Sequence, residues 1–151
     1  MKKIFIASDH AGFELKNMLK DFLLGQGNDV EDCGPAVLDP GDDYPDYIVP
    51  CAQKVAKNKG SFGVLVGLSG QGEAMAANRT LGVRAAVYYG GPMELLVLSR
   101  EHNNANVLSL GAKFVTPDAV KDAVLLWLNT DFSADERHIR RIQKMDASVH
   151  N

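Results

Sequence analysis

Strand-like and helix-like segments alternate along the 151 residues. This predicts an α/β fold of three layers: one sheet of five parallel strands, helices on both faces, and a Rossmann-like winding. The run FGVLVGL (62–68) is apolar without alternation, as suits a central parallel strand buried on both faces. Short β-rich runs recur between segments with helical spacing of apolar residues. Thr116-Pro117 also reads as a helix N-cap with proline at the first helical position.

Taken in order, KKIFIAS (2–8) is the first strand and DHAG a turn. In FELKNMLKDFLL, Phe13, Leu15, Met18, Leu19, Phe22 and Leu23 fall near helical spacing, and Gly25 and Gly27 stop that helix. DVEDCG is a short second strand. PAVLDPGDDYPDY is a loop by its Pro, Gly and Asp content. A helix then runs to about Lys59, with Pro50 expected in its first turn or delaying its start. The strand at 62–68 leads into a helix over GEAMAANRT. VRAAVYY (83–89) is a fourth strand, PMELLVLSREHN a helix, ANVLSLG a fifth strand and PDAVKDAVLLWLN a helix. The expectation is one domain over 1–151, with 130–151 as a C-terminal helical extension.

Bulk properties narrow the function classes. Hydrophobic residues make up 46% and charged residues 23%, an ordinary globular balance. The net charge of -3 gives no electrostatic footprint for nucleic acid, so an anionic ligand needs a local cluster of Arg, Lys or N–H groups. Cys33 and Cys51 match no metal spacing. Without a signal-like segment or a long apolar run, the expected setting is a reducing cytoplasm with no membrane contact.

Ligands of such sheets sit beyond the carboxyl ends of the strands, near the switch in strand order. After the first strand comes Ser8-Asp9-His10. These residues admit two readings: a turn in which Asp9 caps the next helix, or a carboxylate–imidazole pair that orients a hydroxylated ligand and moves protons. After the third strand comes GLSGQGE (67–73), where Gly67, Gly70 and Gly72 allow tight turns and a following helix start. It is no nucleotide loop. Met75 stands where a dinucleotide fingerprint needs glycine, and no lysine occurs between Gly60 and Lys113 for a Walker loop. Glu73 could serve merely to favour the helix dipole, but that leaves Ser69 and the glycines unexplained.

SREHNNAN (99–106) ends the fourth helix; capping accounts for it adequately, and His102 offers a titratable group beside Asn103 and Asn104. The tail ERHIRRIQKM holds three of the chain's six arginines. Arg137 and Arg141 share a helix face and could clamp a phosphate together.

In order and spacing, SDHAGFELK, DYP (43–45), SGQGEAMAANR with GVRAA, SREHNNANVLSLG and RHIRR resemble the RpiB/LacAB family of sugar-phosphate isomerases, nearest its type B ribose-5-phosphate branch. The resemblance covers nearly the whole chain. It implies cofactor-free, metal-free interconversion of aldose and ketose phosphates through a cis-enediolate, most closely ribose 5-phosphate to ribulose 5-phosphate. Six-carbon (allose or galactose 6-phosphate) and four-carbon sugar phosphates are the alternatives. It also implies a homodimer or dimer of dimers with each active site built from two chains.

Carried over by residue, Asp9, His10 and Tyr44 would contact substrate. Leu68, Ser69, Gly70, Gln71 and Gly72 would surround its reacting end, with Ser69 and N–H groups stabilising the oxyanion. His102 would assist ring opening, with Asn103 beside it, and Arg137 and Arg141 would bind phosphate. One branch of the family carries a catalytic cysteine where this chain has Gly67. Glu73 fits the other branch, in which a glutamate is the base. Lys113 stands where an arginine often contributes, keeping the charge without the bidentate fork. Two other classes are weighed against an isomerase. A non-catalytic sugar-phosphate-binding module would need neither Glu73 nor His102, and a phosphate-ester hydrolase would need a nucleophile or metal carboxylates at the phosphate end.

Overall fold

A computed structural model describes residues 1–148; the last three residues of the expected extension lie outside the described range. Five strands form one all-parallel sheet in the order β2-β1-β3-β5-β4: β1 (Lys3–Ser8), β2 (Asp29–Asp32), β3 (Phe62–Gly67), β4 (Ala85–Tyr88) and β5 (Val107–Gly111). The helices are α1 (Phe13–Gly25), α2 (Pro45–Lys57), α3 (Gln71–Ala77), α4 (Glu94–Glu101), α5 (Pro117–Leu128) and α6 (Glu136–Ala147). The expected three-layer α/β architecture is the observed one.

Side-chain alternation builds two cores. Ile4, Ile6, Val64, Val66, Leu108 and Leu110 point to the face covered by α1, α4 and α5, where Leu19, Leu23, Leu96, Val124 and Trp127 are buried. Phe5, Ala7, Leu65 and Val107 point the other way, under Ile48, Cys51, Ala52 and Val55 of α2 and Ala77 of α3. Because β3 feeds both cores, its sequence must be apolar at every position, which is why it reads as an unbroken run. Thr116 caps α5 as expected, its Oγ1 accepting from the Ala119 N–H at 3.4 Å.

One expectation fails. Pro50 neither sits in the first turn nor delays α2; the helix starts at Pro45 and passes through Pro50 as its sixth residue. Proline removes one N–H and frees the carbonyl four residues back, a cost of roughly 3 kcal/mol in an isolated helix. Here Ile48, Cys51, Ala52 and Val55 anchor the opposite face, while Pro50 is exposed and its freed partner lies on the wet side.

The topology places the site. The chain winds from β1 outward to β2, then returns past β1 to β3, so the switch in strand order lies between β1 and β3. Their carboxyl ends carry Ser8-Asp9-His10 and the 67–73 loop.

Candidate active site

The glycine loop turns because its residues leave no alternative. Gly70 is the N-cap of α3 with φ 77°, a left-handed conformation, and a Cβ there would meet the Leu110 carbonyl carbon at 2.8 Å. The buried Ser109 hydroxyl donates to the Gly70 carbonyl and ties the loop to β5. The Lys113 N–H donates to the Leu68 carbonyl at 3.1 Å, which brings the segment after β5 onto the same edge.

Glu73 follows in the first turn of α3 and is only 4% exposed. Its carboxylate fills the space a side chain at position 67 would need: a Cβ on Gly67 would overlap Cδ and both oxygens. Two effects compete over its charge. Its own N–H lowers the pKa, but burial and then the nearby negative Asp9 raise it, and the net direction is upward. A carboxyl whose ionisation burial opposes, at a sheet's switch point, is suited to taking and returning a proton.

Around it, Tyr44 packs its ring and hydroxyl against Gly72, where a Cβ would lie 2.9–3.0 Å from them. The buried Asp9 accepts from the Gly12 N–H at 3.1 Å, which closes the turn before α1; it does not cap the helix, whose N-cap is Gly12 with no side-chain acceptor. His10 is exposed and its Nδ1 lies 2.6 Å from Asp42 Oδ1. Sequence reasoning missed Asp42; the only signal was an extra acid before DYP in a loop already rich in aspartate. Asp9, His10 and Asp42 bring donor atoms within 4.8 Å of one another, the one such metal-capable group among the described residues. The 2.6 Å contact is a hydrogen-bond length that a bridging cation would have to open, so the cluster reads as hydrogen-bonded. The Lys16 in SDHAGFELK is fully buried and structural: its Nζ donates to Asp32 and to the Pro35 carbonyl, anchoring the 34–44 loop.

The remaining candidates gather elsewhere. Because α4 runs back from the carboxyl end of β4 to the start of β5, its C-terminus lies at the opposite, amino edge of the sheet. His102 caps α4 there and stacks on His138 of α6, with ring centroids 4.2 Å apart at 17°. His138 is buried, and desolvation first, then His102, hold its pKa down. It too was missed, although it sits inside RHIRR; nothing in sequence separates a buried histidine from its exposed neighbours. Arg137 and Arg141 lie on α6, both exposed. Arg100, Asn104 and Asn106 prove structural. Arg100 donates to the Thr130 and Ala105 carbonyls and to Asn104 Oδ1, and Asn106 pairs with Arg84 and Gly82. Asn103 is exposed beside His102, its carbonyl accepting from Arg84 Nε.

One chain therefore brings together Asp9, His10, Tyr44, Leu68 to Glu73 and Lys113 at one edge, and His102, Asn103, Arg137 and Arg141 at the other. The five residues of β5 alone separate the edges by about 16 Å, far beyond proton-transfer reach.

A doubly wound sheet with a buried carboxylate of raised pKa at its switch point and a second set of imidazole and arginine groups defines a class: acid–base enzymes of small anionic substrates. More particularly, the chain belongs to the Ribose/Galactose Isomerase family, whose model matches residues 4–145. It is 41% identical over 144 residues to a probable ribose-5-phosphate isomerase B of Mycoplasma pneumoniae, spanning 95% of this chain and 93% of that protein. It is 35% identical over 140 residues to ribose-5-phosphate isomerase B of Mycobacterium tuberculosis, spanning 93% and 85%. The crystal structure of ribose-5-phosphate isomerase B from Mycoplasma genitalium with bound ribulose-5-phosphate matches with a TM-score of 0.91 at 40% identity, covering 97% of this chain and 95% of that one.

Proposed function

We propose that this protein isomerises ribose 5-phosphate to ribulose 5-phosphate, as a single isomerase domain whose working unit contains two or more chains. The observation that carries the reading is the Glu73 carboxylate, buried at the switch point with its pKa raised. The reaction removes a proton α to a carbonyl and returns it to the adjacent carbon, and one carboxylate with two oxygens can serve both. Negative charge develops on the substrate oxygen meanwhile. Ser69 and the opening N–H groups of α3, which have no carbonyl partner within the helix, are the donors for it. Glu73 occupies the volume where the thiolate branch of the family would project its cysteine side chain, so the two branches put a base in one place from different residues.

The phosphate end falls to Arg137 and Arg141, with Lys113 as a third cation, and ring opening to His102 beside Asn103. Since one chain holds these groups at opposite sheet edges, the proposal assigns Glu73, Ser69, Asp9, His10 and Tyr44 to one subunit. His102, Asn103, Arg137 and Arg141 come from its partner. Exposed Leu68 and Met75 beside the first set, and Ile139 and Met145 on α6, offer apolar surface for that association. No described helix is long and apolar enough to cross a membrane. The likeness to ribose-5-phosphate isomerases B is the support for a pentose phosphate enzyme of a cytoplasmic setting.

Initial rates on four-, five- and six-carbon aldose and ketose phosphates, with released phosphate followed in parallel, test the reading. The proposal expects the highest kcat/KM on the five-carbon pair with no phosphate released. Phosphate release points to a hydrolase, and binding without turnover to a non-catalytic module.

A further inference from the structure

Nine consecutive residues, 36 to 44, cross the mouth of the site, and all except Asp42 are exposed. Asp42 turns inward until its side chain is 3% exposed, and there Oδ1 accepts two hydrogen bonds from His10, one from the backbone N–H at 3.1 Å and one from Nδ1 at 2.6 Å. Its Oδ2 is buried without a hydrogen-bond partner. Burying a carboxylate is costly unless a positive group compensates it, and among the described residues His10 is its sole ion-pair partner. The arrangement ties an exposed polar turn to one imidazole, 40% of whose side chain is open to solvent.

We infer that Asp42 is a positioning residue of the isomerase: it fixes His10 with Nδ1–H inward and presents a cationic Nε2–H to an oxygen of the substrate. This rests on the proposed isomerase activity for its purpose, though the pair itself can be tested without substrate. The charged groups acting on His10 are Asp42 and Asp39 from the loop and Asp9 from its own turn, all acidic. The Asp42 hydrogen bond is the largest cause raising its pKa, against desolvation, which lowers it. His10 therefore stays protonated to higher pH than a free imidazole. Removing the Asp42 charge must move its titration down.

The experiment follows the His10 ring by NMR through a pH titration of the whole protein, the signal assigned by its loss in His10→Asn. In the parent the midpoint should lie above the ordinary histidine value of about 6.5; a midpoint at or below it overturns the inference, and this readout needs no Asp42 variant to fold. In Asp42→Asn the midpoint should fall. KM for ribose 5-phosphate should rise about tenfold with kcat within threefold, and the alkaline limb of kcat/KM should move to lower pH. Combined with His10→Asn, Asp42→Asn should add less than twofold. An undiminished loss in that background would mean Asp42 acts through the fold and not through His10. A parent that isomerises no sugar phosphate sinks the proposed function, and the titration then decides the pair by itself.

Discussion

An alanine at position 67 would place its Cβ inside the Glu73 carboxylate, overlapping Cδ and both oxygens. Ordinary contact begins at 3.4 Å, so one of the two must give way. The strand cannot, because Gly67 pairs with Gly111 at the centre of the sheet. Nor can α3 shift freely, with Ala74 and Ala77 buried and Gly70 held by Ser109. The carboxylate must therefore swing by at least about 1 Å, and a misplacement of that size at the reacting centre costs on the order of 100-fold. Gly67→Ala should lower kcat for ribose 5-phosphate about 100-fold while KM stays within threefold, since the phosphate ligands lie elsewhere. Overpacking should cost about 1–3 kcal/mol of stability, at roughly 2–4 °C of Tm per kcal/mol for a chain of this size. Gly25→Ala, where nothing lies within 4 Å of the added methyl, is the control and should leave kcat unchanged. Initial-rate measurement of ketose phosphate formation, with Tm on the same samples, decides it. A folded Gly67→Ala enzyme with kcat within threefold of the parent would refute the placement of the base.

Glu73→Gln should reduce kcat below about one-thousandth of the parent, within the range general acid–base catalysis supplies. The same change should raise Tm at neutral pH. The folded pKa of Glu73 lies above its unfolded value, so stability falls as pH rises between the two and the ionised form carries a penalty that glutamine lacks. As a base Glu73 acts ionised, so the acid limb of kcat/KM should lie above where an unperturbed glutamate would place it. Asp9→Asn removes a neighbouring negative charge, lowers the Glu73 pKa and should shift that limb to lower pH; a shift upward contradicts the electrostatics. Arg137→Ala and Arg141→Ala should each raise KM by tenfold or more with smaller changes in kcat. Unchanged KM in both would remove α6 from the phosphate site.

Much of the fold was legible because each element's period matched its burial. The unbroken apolar run of β3 announced a strand feeding two cores, and Thr116-Pro117 announced a helix start. Pro50 was misjudged because local propensity gives no account of a buried face of Ile48, Cys51, Ala52 and Val55 that holds a helix through a proline. At the site, Glu73 stood out in sequence as an acid in a glycine loop; what sequence did not show is its burial, which raises its pKa. Asp42 and His138 stayed hidden for a common reason. Their distinction is burial against one specific imidazole, His10 in one case and His102 in the other, and neither contact is local in the chain. The family resemblance implied sites built from two chains but not which groups each supplies; the parallel topology, which returns α4 to the amino edge before β5, parts the candidate groups of one chain.

Mixing two inactive variants tests that division of labour. Glu73→Gln and His102→Asn are each prepared separately, combined in equal amounts under conditions that exchange subunits, and assayed on ribose 5-phosphate. If each site takes Glu73 from one chain and His102 from another, half of the dimers are hybrids with one intact site of two, and about one quarter of the parent's activity returns. If both groups served within one chain, every site would keep one lesion and the mixture would stay as inactive as its components.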